Sequence, residues 1–387
     1  MKKKIKICFV IVNRANYGRV RILLKKLNKN PKFKLQLILC SSTVLYKYGN
    51  INEVIRKDGL KPNFKIHSNF EGENLISMTK SAGHLISDLT TCFENLNPDM
   101  IVTIGDRFET IATAISATYL NKYLVHIQGG ELSGSIDESI RHAVTKFAHL
   151  HLAATNKSRK NIIQMGENPK NVFNVGCPSI DEISKINFNK KVNLLDKSYG
   201  GGTGNLVYLR KKYLICLVHP NTKNYKDNEK LINNVINSLI KLKMQCIFLW
   251  PNIDAGSNFI SKKLRSLQQN LKENLRINFY KNFENDDYYR LLKNSSCLVG
   301  NSSSGIRESS YLGVPVVNIG DRQQHRERGK NVLDVKNDEK AILKAIKVQS
   351  YKRFKSQKIY GDGNSSDRII KILSSVDNNI NKIFHKK

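Results

Sequence analysis

The chain has 387 residues, 40% of them hydrophobic and 8% aromatic, which is enough to bury the cores of two soluble domains. The 64 Lys and Arg residues oppose 32 Asp and Glu residues, for a formal net charge of +32. Because the lysines are spread along the chain without interleaved aromatic residues, the composition favours phosphorylated small molecules over nucleic acid as partners. No apolar run reaches the ~20 residues that span a bilayer, and the basic start lacks a signal-peptide cleavage site, so we expect a cytoplasmic protein without membrane contact.

The cysteine pattern argues against both disulfides and zinc. The cysteines are odd in number and scattered, and no two of them form a C-x-x-C pair. This pattern is typical of buried free thiols in a reducing compartment. We therefore expect neither a disulfide framework nor a metal site from the seven residues Cys8, Cys40, Cys92, Cys177, Cys216, Cys246 and Cys297.

The first half alternates short apolar runs with amphipathic stretches, which predicts βα repeats around a parallel sheet. Helices are predicted at 17–30 and 107–121, and a polar, glycine-rich linker at 186–211. Its "YGGGTG" is similar to a phosphate-binding turn, but it precedes a strand instead of joining a strand to a helix. Strands are predicted at "IKICFVIV" (5–12), "FKLQLILC" (33–40), "DMIVTIG" (99–105), "LVHIQG" (124–129) and "HLHLAAT" (149–155).

The second half restarts the same alternation. Strands are predicted at 212–220, 245–251, 276–280, 296–300 and 314–320, and helices at 228–243, 286–294, 341–348 and 366–385. The predicted fold class is therefore α/β, with two Rossmann-like, doubly wound domains facing a cleft. The predicted domains are 1–185 and 212–365, joined by the linker 186–211 and followed by a helix and tail at 366–387.

Six polar clusters each come directly after a predicted strand, where ligands bind in open α/β sheets. In the last of them, "GNSSSGIRES", serine hydroxyls precede a predicted helix, an arrangement suited to an anion. The alternative is an ordinary helix cap. The clusters are "NRANYG" (13–18), "GDRFE" (105–109), "QGGELSGSIDESIRH" (128–142), "HPNT" (219–222), "WPNIDAGS" (250–257) and "GNSSSGIRES" (300–309).

Taken together, residues 5–370 resemble the hydrolysing UDP-N-acetylglucosamine 2-epimerases of sialic-type sugar synthesis. The stretches "GDRFE", "GGELSGSIDESIRHAVTKFAHLHL", "PNIDAGS" and "NSSSGIRE…NIGDRQQHRERG" carry this resemblance. It implies a two-domain fold of the GT-B type and a UDP-sugar in the cleft. It also implies UDP and a free 2-epimer such as N-acetylmannosamine as products, without a cofactor. We further expect a homo-oligomer, either a dimer or a tetramer.

The resemblance places proton transfer on the first domain, with Asp106, Glu131, Asp137 and Arg141 as catalytic candidates. From the residues alone, Asp106 could equally cap the following helix. The four-residue spacing of Asp137 and Arg141 fits an ion pair along one helix face. Many members carry a glutamate where this chain has Gln128, which cannot act as a base but could orient a water or bind an acetamido group.

Donors and cations from both domains are expected to hold the nucleotide. The "NSSSG" serines and the arginines suit the diphosphate, and Glu308 suits the ribose diol. His126, His149 and His151 lie in apolar runs and are predicted to be packing histidines. The predicted substrate-binding residues are Arg14, Tyr17, His219, Asn252, Ser257, Ser302, Ser303, Gly305, Glu308 and Arg322.

Three alternatives share parts of this pattern. The substrate could be a UDP-2,4-diacetamido-2,4,6-trideoxy sugar, the precursor of legionaminic-type acids. The fold could serve a glycosyltransferase, although the paired carboxylates of the first half argue against that reading. A non-catalytic basic protein could bind nucleic acid through its charge alone.

Overall fold

Two seven-stranded sheets, each covered by helices on both faces, organise the protein in this computed structural model. The structure describes residues 3–45, 51–72, 74–195, 202–222, 227–252 and 254–386. None of the helices in these ranges combines the length and the apolar character that a membrane crossing needs.

The first sheet is entirely parallel, in the order β3-β2-β1-β4-β5-β6-β7. Its strands are β1 Ile5–Ile11, β2 Phe33–Leu39, β3 Phe64–Lys65, β4 Met100–Ile104, β5 Tyr123–Ile127, β6 Leu150–Ala153 and β7 Val172–Asn174. Its helices are α1 Arg14–Lys29, α2 Ile51–Lys57, α3 Leu75–Leu96, α4 Phe108–Tyr119, α5 Asp137–Phe147, α6 Asn156–Gln164 and α7 Pro178–Ile183.

The second sheet has the order β14-β13-β12-β9-β10-β11-β8, and only β8 runs antiparallel to its neighbour. Its strands are β8 Thr203–Gly204, β9 Tyr213–Leu217, β10 Gln245–Leu249, β11 Ile277–Tyr280, β12 Cys297–Gly300, β13 Val316–Ile319 and β14 Val332–Val335. The later helices are α8 Asn228–Leu242, α9 Ser257–Gln269, α10 Asn285–Asn294, α11 Glu308–Leu312, α12 Glu339–Gln349 and α13 Ser365–Leu373.

Each sheet buries both of its faces, which explains why the strands are continuous apolar runs. In β1, Ile7 and Phe9 belong to one core while Cys8 and Val10 belong to the core on the opposite face. The second sheet repeats this arrangement in β9. The predicted α/β fold of two Rossmann-like domains is therefore confirmed. All seven cysteines are buried and free, as predicted.

The strand order reverses between β1 and β4 in the first sheet and between β9 and β12 in the second. At such a switch point the loops at the carboxyl ends of adjacent strands diverge and leave a crevice. Four of the six polar clusters follow these four strands. The topology therefore explains why the polar residues gather where they do.

Three predictions about elements need correction. Part of the predicted linker is an edge strand, since β8 pairs with β11, while residues 196–201 with the first half of "YGGGTG" lie outside the described residues. The helix predicted at 366–385 ends at Leu373, because the Ser, Asp and Asn residues that follow compete with the helical backbone for hydrogen bonds. The serines of "NSSSG" form a short 3₁₀ turn, and α11 begins only at Glu308.

Candidate active site

A cavity of about 1170 Å³ lies between the carboxyl ends of the two sheets. All six polar clusters contribute to its lining, as their positions after strands predicted. Among the described residues, its charged lining consists of seven basic side chains and four carboxylates: Arg14, Arg19, Arg107, Arg265, Lys281, Arg322 and Arg326, with Asp106, Asp137, Asp254 and Glu308.

Asp106 lies at the switch point of the first sheet, one residue after Gly105, whose left-handed φ of 79° turns the chain after β4. Its Oδ2 accepts a hydrogen bond from Arg141 Nε at 3.1 Å, and Arg141 Nη2 donates to the same oxygen. Arg326 Nη2, from the second domain, donates to it at 3.1 Å. Burial opposes the charge of Asp106, but the two guanidinium groups outweigh it and hold the pKa far below its usual range.

Two alternatives from the sequence are settled by this geometry. The N-cap position of α4 is Arg107, not Asp106, and its side chain makes no capping bond. The predicted pairing of Asp137 with Arg141 is wrong. Arg141 is fully buried and turns toward Asp106, and it also donates to the carbonyl oxygen of Glu131.

Asp137 is the first residue of α5, and its Oδ2 accepts a hydrogen bond from Ser135 Oγ at 2.9 Å. Burial and then the charge of Asp106 raise the pKa of Asp137 to about 6, against a smaller opposing effect of Arg322. The cavity therefore contains two carboxylates whose pKa values are shifted in opposite directions, as in many acid–base sites.

Glu131 does not line the cavity but lies behind Asp106 in a buried ion-pair network. Arg307 Nη2 donates to its two carboxylate oxygens at 2.7 and 2.6 Å, and Arg326 Nη1 lies 3.3 Å from Oε2. Burial raises its pKa, but these cations and Arg141 lower it further, so Glu131 is ionised. Arg307 and Arg326 lie within the "GIRES" and "HRERG" stretches, but no sequence pattern indicates that they reach carboxylates of the first domain.

Gln128 adopts a left-handed φ of 68° and is buried behind the cavity wall. Its amide Nε2 lies 2.9 Å from Cys177 Sγ. The side chain therefore faces α7 and is not among the residues that line the cavity. This placement offers no support for a contact between Gln128 and an acetamido group.

The serine loop, residues 301–305, lines the opposite wall with its three serines. Ser303 Oγ accepts a hydrogen bond from Arg19 Nη2 at 3.3 Å, a contact that joins the two domains. Burial, followed by Arg307, lowers the pKa of Arg19. Arg19 was not predicted from the sequence. It places a cation beside the serine hydroxyls, the combination that an anionic ligand requires.

Two predicted binding residues lie elsewhere. Tyr17 belongs to the core beneath α1, and its phenol donates to Asp58 Oδ2 at 2.7 Å, so its assignment to the substrate is wrong. Gly305 also lies outside the cavity lining. Its backbone N–H closes the turn onto the Ser302 carbonyl oxygen, and a Cβ there would lie only 2.9 Å from Val316.

His219 follows β9 and lines the second-domain wall with Asn252 and Ser257. Its Nδ1 accepts from the backbone N–H of Asn252 at 3.3 Å. Burial, reinforced by Arg322, lowers the pKa of His219 to about 3, so the ring is neutral at neutral pH. The neutral ring therefore carries its proton on Nε2 and can act there as a hydrogen-bond donor.

Two further contacts of charged residues connect the two walls. Arg14 Nη2 donates to the Phe283 carbonyl oxygen at 2.8 Å, and Arg107 Nη1 lies 2.6 Å from Asp254 Oδ1. Arg322 Nη2 lies 4.0 Å from the other oxygen of Asp254. The Arg107–Asp254 pair was also not predicted.

Glu308 lines the cavity from the first turn of α11, and its Oε1 accepts from Ser179 Oγ at 2.9 Å.

The three histidines of the apolar strands pack as predicted. His126 contacts the Gly105 carbonyl oxygen at 2.8 Å, and His151 contacts Glu167 at 3.1 Å.

Comparison with known proteins places this geometry in a family. Residues 25–374 match the family described as UDP-N-acetylglucosamine 2-epimerase. A Legionella pneumophila protein named UDP-N,N'-diacetylbacillosamine 2-epimerase (hydrolyzing) is 33% identical, with 96% of each chain covered. A Campylobacter jejuni protein named GDP/UDP-N,N'-diacetylbacillosamine 2-epimerase (hydrolyzing) is 34% identical over 90% of this chain and 89% of its own.

More distant proteins share the fold. A UDP-N-acetylglucosamine 2-epimerase of Neisseria meningitidis is 27% identical over 94% of this chain and 93% of its own. The structure of a UDP-GlcNAc 2-epimerase from N. meningitidis bound to UDP-GlcNAc superimposes with a TM-score of 0.77 at 17% identity, covering 95% of this chain and 99% of that one. A Methanocaldococcus jannaschii complex with UDP-GlcNAc and UDP gives 0.79 at 16% identity, covering 96% and 99%.

Proposed function

Because this chain belongs to the hydrolysing UDP-N-acetylglucosamine 2-epimerase family, we propose that it converts a UDP-2-acetamido sugar into UDP and the free 2-epimer. The observation that carries the proposal is the pair Asp106 and Asp137. These two carboxylates have opposite pKa shifts and lie across the cavity from the serine loop. An elimination that expels a diphosphate needs this combination of an acid–base group and anion-binding donors.

In the proposed reaction, the C2 proton is removed and the bond between C1 and the diphosphate oxygen breaks, which leaves UDP and an unsaturated glycal. Water then adds its hydroxyl to C1, and C2 receives a proton on the opposite face. Asp137 is the proposed proton-exchanging group, because its raised pKa lies close to working pH. Asp106 is held as an anion by two arginines, so it is a weak base that keeps Asp137 protonatable and Arg141 in place.

The nucleotide is assigned to the second-domain wall. Ser302 and Ser303 would donate to the diphosphate beside Arg19, and Glu308 would accept from the ribose hydroxyls. Arg14 and Arg322 remain candidates for the diphosphate or for closing the cleft. Gln128 faces Cys177, which leaves Asp137, supported by the charge of Asp106, as the proposed proton-transfer group of this wall.

The proposed sugar is UDP-N,N'-diacetylbacillosamine, a 2,4-diacetamido-2,4,6-trideoxy sugar. Two relatives at 33% and 34% identity are named for it, whereas a relative named for UDP-N-acetylglucosamine, that of N. meningitidis, is 27% identical. The first-domain side of the cavity also includes the apolar residues Met78, Phe108, Ile136 and Ile140. Such side chains suit a 6-methyl group better than a 6-hydroxyl. UDP-N-acetylglucosamine is the second candidate.

Isotope labelling of the two UDP-sugars in parallel tests the proposal. In heavy water the free sugar should carry deuterium at C2, and oxygen-18 from labelled water should appear at C1 and not in UDP. The diacetamido sugar should show the higher kcat/KM. Retention of the original hydrogen at C2 would exclude the elimination and favour simple hydrolysis or glycosyl transfer. An epimerised but intact UDP-sugar would indicate a non-hydrolysing enzyme, and a higher kcat/KM for UDP-N-acetylglucosamine would overturn the substrate assignment.

A further inference from the structure

The segment after α13, residues 374–386, which we call the tail segment, crosses the first domain and contacts the far end of α5. The backbone N–H of His385 donates to the Gly166 carbonyl oxygen at 2.9 Å, and the Phe384 ring covers the face of Gly166. His149 Nε2 lies 3.1 Å from the Ile380 carbonyl oxygen. These three contacts from one short segment fix its path over the surface.

Lys382 is the member of this segment that reaches inward, with only 24% of its side chain exposed. Its ammonium group donates to the Thr145 carbonyl oxygen at 3.0 Å and also to the Ala148 carbonyl oxygen. These are carbonyl groups of the last turn of α5, where a helix has no hydrogen-bond donors of its own and where a cation is favourable. Lys382 therefore caps α5.

The same ammonium group completes the environment of a buried acid. Lys382 Nζ lies 2.7 Å from Glu167 Oε2, and the Glu167 carboxylate also accepts from Lys146 at 2.6 Å and contacts His151 at 3.1 Å. In the sheet, His151 lies directly opposite His126, which contacts the carbonyl oxygen of Gly105. Strand pairing, and not a hydrogen bond, thus connects the surroundings of Glu167 to Gly105, the residue before Asp106.

Helix α5 links this cap to the cavity. Its first residue is Asp137, Arg141 lies one turn later, and Thr145 lies one turn beyond that. Arg141 can hold Asp106 only if the helix keeps its axial position, because the guanidinium group is buried and has a fixed approach to the carboxylate. A displacement of the capped end would reach Asp137 and the contact of Arg141 with Asp106, because i→i−4 hydrogen bonds tie each turn of this short helix to the next.

We propose that Lys382 is a positioning residue for Asp106 and Asp137, acting through the last turn of α5 and through Glu167. The inference rests on the proposed function, but the structural part of its test does not. The structure assigns the tail segment to the active site although none of its residues touches the cavity.

The test compares Lys382→Met, which keeps the aliphatic stem, with Lys382→Arg, which keeps the charge. The matched control is Lys386→Met, because the exposed Lys386 side chain has no hydrogen bond or ion pair with a described residue. Lys382→Met should lower kcat about 10-fold or more, the scale of a sub-ångström misplacement of reacting groups, while KM and UDP affinity stay unchanged. Lys382→Arg should recover most of the loss, and Phe384→Ala should give a smaller fall.

Hydrogen exchange provides a readout that needs no turnover. In Lys382→Met, the amides in the last turns of α5 should exchange faster than in the wild type, while those of α4 should not change. Unchanged kcat in Lys382→Met, a rise in KM alone, or unchanged exchange in α5 would each overturn the proposal. If the wild-type protein turns over no UDP-sugar but the α5 amides exchange faster in Lys382→Met, the proposed function is wrong and the capping of α5 by Lys382 is still supported.

Discussion

Arg326 Nη2 lies 3.1 Å from Asp106 Oδ2, so a cation of the second domain balances the charge of an acid in the first. The same guanidinium group approaches Glu131 at 3.3 Å. The ionisation of both acids therefore depends on the approach of the two domains. A cleft that opens would remove Arg326 and raise the pKa of Asp106, because one of its two stabilising charges would be lost.

Asp137 should carry the proton transfer. Asp137→Asn keeps the shape of the side chain but removes the titratable group, so kcat should fall by about 10²–10⁴-fold. UDP affinity, measured by calorimetry, should change little, because the diphosphate is assigned to the opposite wall. Asp88→Asn, a half-buried acid on α3 that lies outside the cavity lining, is the control and should keep full activity. Near-normal turnover of Asp137→Asn would transfer the role to another group.

The pH dependence should reveal the raised pKa of Asp137. If its ionised form removes the C2 proton, kcat/KM should fall as the pH drops below about 6. Ser135→Ala removes a hydrogen bond that favours the ionised form, so the acidic limb of the profile should move to higher pH. A limb that stays in place in this variant would assign the titration to a different residue.

The serine loop should bind the diphosphate. Ser303→Ala should cost about 1–3 kcal/mol of UDP binding, the range for a hydrogen bond to a charged group. Ser302→Ala should cost at least as much, since Ser302 Oγ also accepts from the backbone N–H of Ser304. Calorimetry with UDP alone measures both. Ser266→Ala, on the exposed face of α9, serves as the control, and unchanged affinity in both variants would reduce the loop to a structural turn.

Glu131 should matter for stability as well as for the site. Glu131→Gln removes one partner of the buried pair with Arg307, which should cost about 3–5 kcal/mol in denaturant unfolding at neutral pH. The folded pKa of Glu131 lies below its unfolded value near 4.3, so its contribution is present above that pH and is lost on acidification. The difference in the free energy of unfolding between the wild type and Glu131→Gln should therefore become smaller in acid. The exposed Glu273→Gln should show no difference at either pH.

The sequence predicted the architecture and the location of the site better than the ion pairs between the charged side chains of the site. Buried strands such as β1 and β12 are short apolar runs followed by polar clusters, and both signals are local. Arg141 shows the limit of this approach. The spacing of Arg141 from Asp137 favours an ion pair along the helix. Arg141 instead reaches Asp106, 35 residues away, because the negative charge of Asp106 is buried and β4, the strand before it, has no basic residue to balance that charge.

Contacts between the domains could not be predicted for the same reason. Arg107 with Asp254 and Arg326 with Asp106 are pairs separated by 147 and 220 residues, and only the facing of the two sheets brings them together. Tyr17 lies in the first turn of α1, directly after residues that line the cavity. Its ring nevertheless enters the core, because its face of α1 is turned away from the cavity. The domain boundaries and the homo-oligomer stay predictions.

The excess of basic over acidic side chains in the cavity has a consequence for the encounter with substrate. A nucleotide diphosphate sugar carries two negative charges, so the field of the open cleft should accelerate its capture. At physiological ionic strength this field is screened over about 8 Å, and added salt should therefore slow association. Proton transfer takes place among buried groups that salt scarcely reaches. The ionic strength of the medium should therefore change the rate at which these basic side chains capture the substrate, and leave the rate of the chemical step unchanged.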